Sequence, residues 1–281
     1  MTTLPAMGHA ARRWFTGWWQ IIHLGAVLLV LAMSPSSYGP QVNRQALARQ
    51  LLLVTGPVLL WFTVVSSLIS LIVIRLVVVT ALSYGLSSYA LEMVVRVLVL
   101  ELIPLSAALA AALRLTLPNG AAVARQRSAG GFKTPLPPGA DPWRQEVLPR
   151  VLAGMFAVAM LAAVSCLATL VLAYWSVHGF TLGGFDRYTR TVGRVFSPAV
   201  SVIFALKVAL MSLAVSVIPM ASALYDNPPP GTTADTLSLL PPATPFVAAA
   251  RIPSSADLQG LVRMFLVLLL IESASLVGNY Y

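Results

Sequence analysis

The sequence predicts an all-α integral membrane protein: an N-terminal interfacial helix followed by five transmembrane helices. Three observations carry that prediction. Apolar residues make up 58% of the 281, a figure that omits the 18 glycines, where soluble domains hold roughly 45–50% with glycine included. Charged residues are 10%, against about 25% in an ordinary domain. Long apolar runs also recur along the chain, each near the ~20 residues that a spanning helix needs. A mean hydropathy of +0.84 agrees. Together these exclude a soluble globular domain, a disordered chain and a coiled coil.

The elements follow in order. Residues 14–33, WFTGWWQIIHLGAVLLVLAM, are long enough to span. Trp14, Trp18 and Trp19 crowd one end beside Arg12 and Arg13, which is how a helix lying in the membrane surface reads. The surface reading is preferred to a sixth span. The start is not a cleavable signal, because no clear A-x-A site follows the apolar run; Ala32-Met33-Ser34 is the nearest. A hinge, SPSSYGP at 34–40, divides the chain into residues 1–40 and a transmembrane domain at 41–281. The first span lies within 51–79, longer than one crossing needs, so it is expected to tilt, to kink near Gly56-Pro57 or to extend past the bilayer. The others lie near 90–115, 148–176, 198–224 and 259–278. Segment 128–142 reads as a flexible loop, and the prolines at 228–230 and 241–242 exclude helix interior there.

The charge is lopsided, with 18 Lys+Arg against 9 Asp+Glu. In a membrane protein such an excess marks cytoplasmic loops facing anionic headgroups, so no nucleic acid is expected. Arg114, Arg125, Arg127, Lys133, Arg144 and Arg150 stand between spans two and three. They place that loop and the N-terminus in the cytoplasm and the C-terminus outside. Arg187, Arg190 and Arg194 after span three run against this assignment. A single cysteine, Cys166, excludes a disulfide framework. His9, His23 and His178 are too scattered for zinc, so neither a metal nor a cofactor is expected. No G-x-x-x-x-G-K-[ST], HExxH or GxSxG appears, so the chain is not expected to be an enzyme.

Ionisable residues inside a bilayer are expensive and therefore informative. Glu92 and Arg96 are spaced as a local helical pair. Arg75 reads as a snorkelling side chain, and Glu272 as a bond to a neighbouring helix. Glu101 and Lys207 stand apart. Counted at about 1.5 Å per residue from the same side of the membrane, they reach similar depths, so they are expected to pair or to line a polar cavity. A substrate site and a purely structural pair both fit. The small residues from Ser106 to Ala112 read as a helix-packing face.

The run LVLELIPLSAALAAALR, containing Glu101, Pro104 and Arg114, resembles LxRELGPVxxALLxAGR, a motif of the MlaE (YrbE-type) permeases. These are membrane subunits of ABC systems that move phospholipids or other lipids with MCE proteins. Arg49-Gln50-Leu51 resembles the RQL opening of the family's first span. Tyr84 stands 17 residues before Glu101, where the family often has a polar residue. DPWRQEVLPR at 141–150 resembles DPxRxxxxPR, and Lys207 in ALKVAL resembles the lysine of an IKS motif. There are departures. Leu100 replaces the family's arginine and Ile103 its glycine. The stretch after Arg114, the family's coupling helix, is interrupted by Pro118, Pro135, Pro137 and Pro138. The loop before span five is also rewritten.

The resemblance implies a non-enzymatic permease of the bacterial inner membrane, acting as a dimer of permease chains. The dimer would be homomeric or heteromeric, with a separate ATPase and an MCE protein as partners. It implies an apolar lipid pocket between spans one and two, with Tyr84, Glu101 and Lys207 as substrate-binding residues. Arg125 and Arg127 would meet the ATPase, through a helix no longer than Gly120 to Arg127. A scaffold subunit that docks partners without transporting is the rival reading, and a lipid-modifying membrane enzyme is a third.

Overall fold

The computed structural model describes the backbone of residues 4–33, 41–128, 147–179, 182–225 and 255–280, and the side chains of 16–31, 55–86, 89–123, 147–179, 183–225 and 260–279. Among these residues the chain is helical apart from turns, and no strand occurs. Five stretches are long and apolar enough to cross a membrane: Thr55–Ser83, Tyr89–Val123, Leu148–His178, Pro198–Tyr225 and Gly260–Asn279. The expected spans are all present. The hinge at 34–40, most of the 128–142 loop and the prolines after Tyr225 lie outside the described residues.

Helix α1 is Leu4–Met33. Ile21, Leu24 and Leu28 are its buried stripe, at the three- and four-residue spacing of one helix face. A Cβ added at Gly17 would touch the Arg263 guanidinium, and one at Gly25 would meet Val217. Arg263 and Val217 each lie eight residues, roughly 12 Å, in from the same end of the bundle. Helix α1 thus packs on α8 and α9 towards the end of the bundle that holds Tyr225 and Ser255. That position suits a helix in the membrane surface.

Helix α2, Gln41–Ser83, continues through Pro57 without a break. It ends in a Schellman turn: Leu86 N donates to Ala81 O at 2.8 Å and Gly85 N to Leu82 O at 3.1 Å. Gly85 takes φ +73° there, a conformation that costs a residue with a Cβ about 1–2 kcal/mol. This short link returns the chain as α3, Ser87–Val94. A π-helical stretch, Val95–Leu102, leads to α4, Ile103–Ala111. A second π stretch, Ala112–Thr116, leads to α5, Leu117–Ser128. Backbone angles at the joints Val95, Ile103, Ala112 and Leu117 are all right-handed helical, so residues 87–128 form one rod.

Pro118 therefore does not interrupt the stretch after Arg114, contrary to the sequence-based expectation. A proline in a regular helix lacks an N–H and collides with the carbonyl four residues back. Here the wide π turn shifts the hydrogen-bond register just ahead of it. Pro118 becomes the second residue of a fresh α segment, a position that proline tolerates. Pro104 sits in the same position in α4 after the first π stretch.

Helix α6 is Leu148–His178, α7 Phe185–Val195, α8 Pro198–Tyr225 and α9 Ser255–Tyr280. Helix α2 packs along α6, and α9 along α8, with α4 between α6 and α8. Small residues make the centre: Ala107, Ala108, Ala111 and Ala112 are completely buried, as the packing-face reading of that stretch expects. Gly154 lets α6 close on Ser216 of α8, and Gly120 lets α5 close on the Pro219 carbonyl. Ser70 and Thr169 hydrogen-bond at 3.1 Å between α2 and α6. Half of the central span is buried, but only 11% of the α2 span.

Candidate functional site

The carbonyls that Pro104 leaves without a donor organise the site. In an α ladder its N–H would serve Leu100, and in a π ladder Val99. Both carbonyls accept from other helices instead. Lys207 Nζ, from α8, donates to Leu100 O at 3.0 Å. Cys166 Sγ, from α6, lies 3.6 Å from Val99 O.

Lys207 is buried, its side chain only 1% exposed. Besides Leu100 O, its ammonium donates to Glu101 Oε2 and to Glu272 Oε1 at 2.9 Å. An ammonium has three protons, and all three are used. Asn279 Nδ2 donates to Glu101 Oε1 at 3.1 Å and lies 3.4 Å from Ser275 Oγ. Three helical rods thus converge on one polar cluster: α3–α5 brings Glu101, α8 brings Lys207, and α9 brings Glu272 and Asn279. One cation faces two carboxylates. Glu272 Oε2 and Asn279 Oδ1 are buried with no hydrogen-bond partner among the described residues.

The cluster lies about a third of the way through the bundle. Lys207 is nine residues from Pro198 and 18 from Tyr225, roughly 14 Å against 27 Å. It therefore sits nearer the end of the bundle that holds the α2–α3 turn, at the depth that counting along the helix gives. Glu101 and Lys207 are brought together as expected. Tyr84 is not: it stands in the α2–α3 turn, 77% exposed, some 21 Å up the rod from Glu101 counted from Ser87. Arg125 and Arg127 lie in the last turns of α5, at the opposite end, and their side chains are outside the described residues. Glu92 and Arg96 form the expected local pair at 3.1 Å. Arg75 is exposed on α2.

Sequence reasoning missed Asn279 as a partner. Its signal was the spacing Glu272, Ser275, Asn279, which puts three polar groups on one face of an otherwise apolar helix. The Leu100 carbonyl carried no signal beyond Pro104 itself.

A comparison with protein-family models matches residues 47–235 to Permease MlaE. The chain belongs to the MlaE permease family. The match begins in α2, runs past the end of α8, and contains Glu101, Pro104 and Lys207. Glu272 and Asn279 fall beyond it. A comparison with curated proteins finds no match. As an MlaE permease with five apolar spans, the chain is a multi-pass membrane protein of the ABC-transporter type. It is the transmembrane component and not the ATPase.

Proposed function

We propose that the chain is the permease subunit of an ABC-type lipid transport system working with an MCE protein in a bacterial inner membrane. Two permease chains would enclose an apolar pocket between spans one and two that takes phospholipid acyl chains. The observation that carries this reading is the Lys207 cluster: a buried family lysine that engages a partly buried family glutamate, with no other buried charge among the described residues. Charges at that depth are retained at a cost. In a transporter the cluster braces three spans at one height, so that they can move together around the pocket. The exposed apolar face of α2, including Leu68, Ile72 and Leu76, would supply the apolar wall of that pocket. Tyr84 would stand at the rim of the pocket on the outer side, at the end nearest the cluster.

Arg125 and Arg127 would meet acidic groups of the ATPase through α5. Because α5 continues the Glu101 helix, a push on it moves the rod that holds Glu101. This favours transport over the scaffold reading. The test is reconstitution of the complex in liposomes with a fluorescent phospholipid acceptor assay. Lys207→Ala and Glu101→Ala are expected to lower ATP-dependent transfer at least tenfold, and the parent complex to carry co-purified phospholipid. Full transfer by both variants would overturn the pocket assignment. A parent complex that assembles, hydrolyses ATP and moves no lipid would favour the scaffold.

A further inference from the structure

Helix α7, outside the spans and α1, is left unused by the transport reading. Its inner line is Tyr188 and Val195, both buried. The Tyr188 hydroxyl donates to Leu170 O of α6 at 2.7 Å. Its ring meets Tyr174 edge-on at 5.2 Å, and Tyr174 stacks on His178 at 5.4 Å. Leu170 precedes the end of α6 by eight residues, about two helical turns. So α7 does not cap the bundle. It packs against the sides of α3 and the π stretch that follows it, and its Tyr188 reaches the side of α6.

The other side of α7 carries Arg187, Arg190 and Arg194, all exposed. At about 100° per residue they fall within an arc of roughly 60°, well away from the Tyr188 line. Arg190 pairs with Asp186 at 2.7 Å, with both side chains about three-quarters exposed; such a pair is easily exchanged. Arg187 and Arg194 have no partner among the described residues. Exposed Trp175 and Phe185 stand at the same level, and aromatics of this kind mark the interface between tails and headgroups.

We infer that α7 is an interfacial strap whose arginine stripe binds the phosphate groups of anionic phospholipids in the adjoining leaflet. Lipid is the occupant that fits: the exposed guanidinium groups stand beside exposed Trp175 and Phe185, next to the end of the apolar span Leu148–His178, the level at which headgroups meet a spanning helix. Guanidinium groups fit phosphate with two parallel hydrogen bonds, and basic residues on an amphipathic helix are drawn to anionic headgroups. The inference also accounts for three arginines at the end of the bundle that carries the fewer basic residues in its connections. It does not rest on the transport reading.

The test uses the full purified chain in detergent, titrated with phosphatidylglycerol or phosphatidylcholine, with bound lipid counted by native mass spectrometry. The parent is expected to bind phosphatidylglycerol at least tenfold more tightly. The triple variant Arg187→Gln, Arg190→Gln, Arg194→Gln should bring the two lipids near parity, and the triple Arg→Lys variant should keep most of the preference. If the glutamine triple does not purify as a folded protein, Arg187→Gln and Arg194→Gln alone should each lower phosphatidylglycerol binding several-fold. Undiminished phosphatidylglycerol binding by the glutamine variants overturns the inference. So does loss of an acidic partner protein with lipid binding intact, or equal binding of the two lipids by the parent.

Discussion

Pro104 and Lys207 act together although they belong to different helices. The proline removes a backbone donor, and the lysine supplies one from outside at the Leu100 carbonyl. The same ammonium holds Glu101 and Glu272, whose side chains are only 12% and 13% exposed. Removing it leaves two carboxylates without a cation, which for a broken buried pair costs about 3–5 kcal/mol. Lys207→Ala should therefore be strongly destabilising. Glu272→Gln should not: an amide oxygen still accepts from Lys207, and Glu101 remains as the counter-ion. Its loss is expected near that of one hydrogen bond, roughly 1 kcal/mol. Thermal unfolding in detergent ranks the two, and equal losses would mean that Lys207 is not the hub. The Glu101–Lys207 meeting was legible because depth along a helix can be counted. The Leu100 acceptor was not, since every residue has a carbonyl and only the ladder's geometry shows which one is free.

At the scale of elements, prolines were the misleading signal and glycines the informative one. Pro118 argued for a break where the helix runs on, because π turns leave no mark in composition. Gly120 sits in that helix where its backbone meets α8: an added Cβ would lie 2.9 Å from the Pro219 carbonyl oxygen and 3.3 Å from its carbon. Backbone atoms cannot swing aside, so Gly120→Ala should cost about 1–3 kcal/mol by overpacking and loosen α5 from the bundle. Gly193 in α7 has nothing within 4 Å of such a Cβ. Gly193→Ala should therefore stabilise by roughly 0.5–1 kcal/mol through helix propensity alone. Opposite signs in thermal unfolding are the expected result. The attachment of α7 also carries a pH signature. Burial pushes the Tyr188 phenol up to about 12 from a usual value of 10. A raised pKa means that the contact is intact below pH 10 and is lost as pH climbs from there through 12. The phenolate absorbance of the parent minus that of Tyr188→Phe should titrate in that upper window. A difference spectrum titrating near 10 would show Tyr188 to be solvated.

For the whole molecule, the number, limits and length of the spans were legible because each crossing must satisfy its backbone internally over a fixed thickness. How the spans pack was less so: the central rod and α2 are similarly apolar, yet one is half buried and the other hardly at all. Apolar side chains suit both lipid and protein, so composition cannot separate the two, whereas the alanines of 107–112 can. Orientation remains an argument from charge. The bundle end reached by α5 and the start of α6 carries Arg114, Arg125, Arg127, Lys133, Arg144 and Arg150 in and around its connecting loop. The other end carries Arg187, Arg190 and Arg194, on a helix that the membrane surface itself can engage. The positive-inside rule weighs short-loop residues, so the six outvote the three and the α5 end should be cytoplasmic. Cys166 must first be removed. It is buried against the Val99 carbonyl, and Cys166→Ser keeps a donor there. In that background Ser128→Cys should resist a membrane-impermeant maleimide in intact cells and react after lysis. Gly183→Cys, exposed just before α7 with open space around it, should react from outside without lysis. The reverse pattern would turn the protein over, moving the α7 stripe to the cytoplasmic leaflet and α5 away from any ATPase. Such an outcome would leave the Lys207 cluster intact but remove the route by which α5 could drive it.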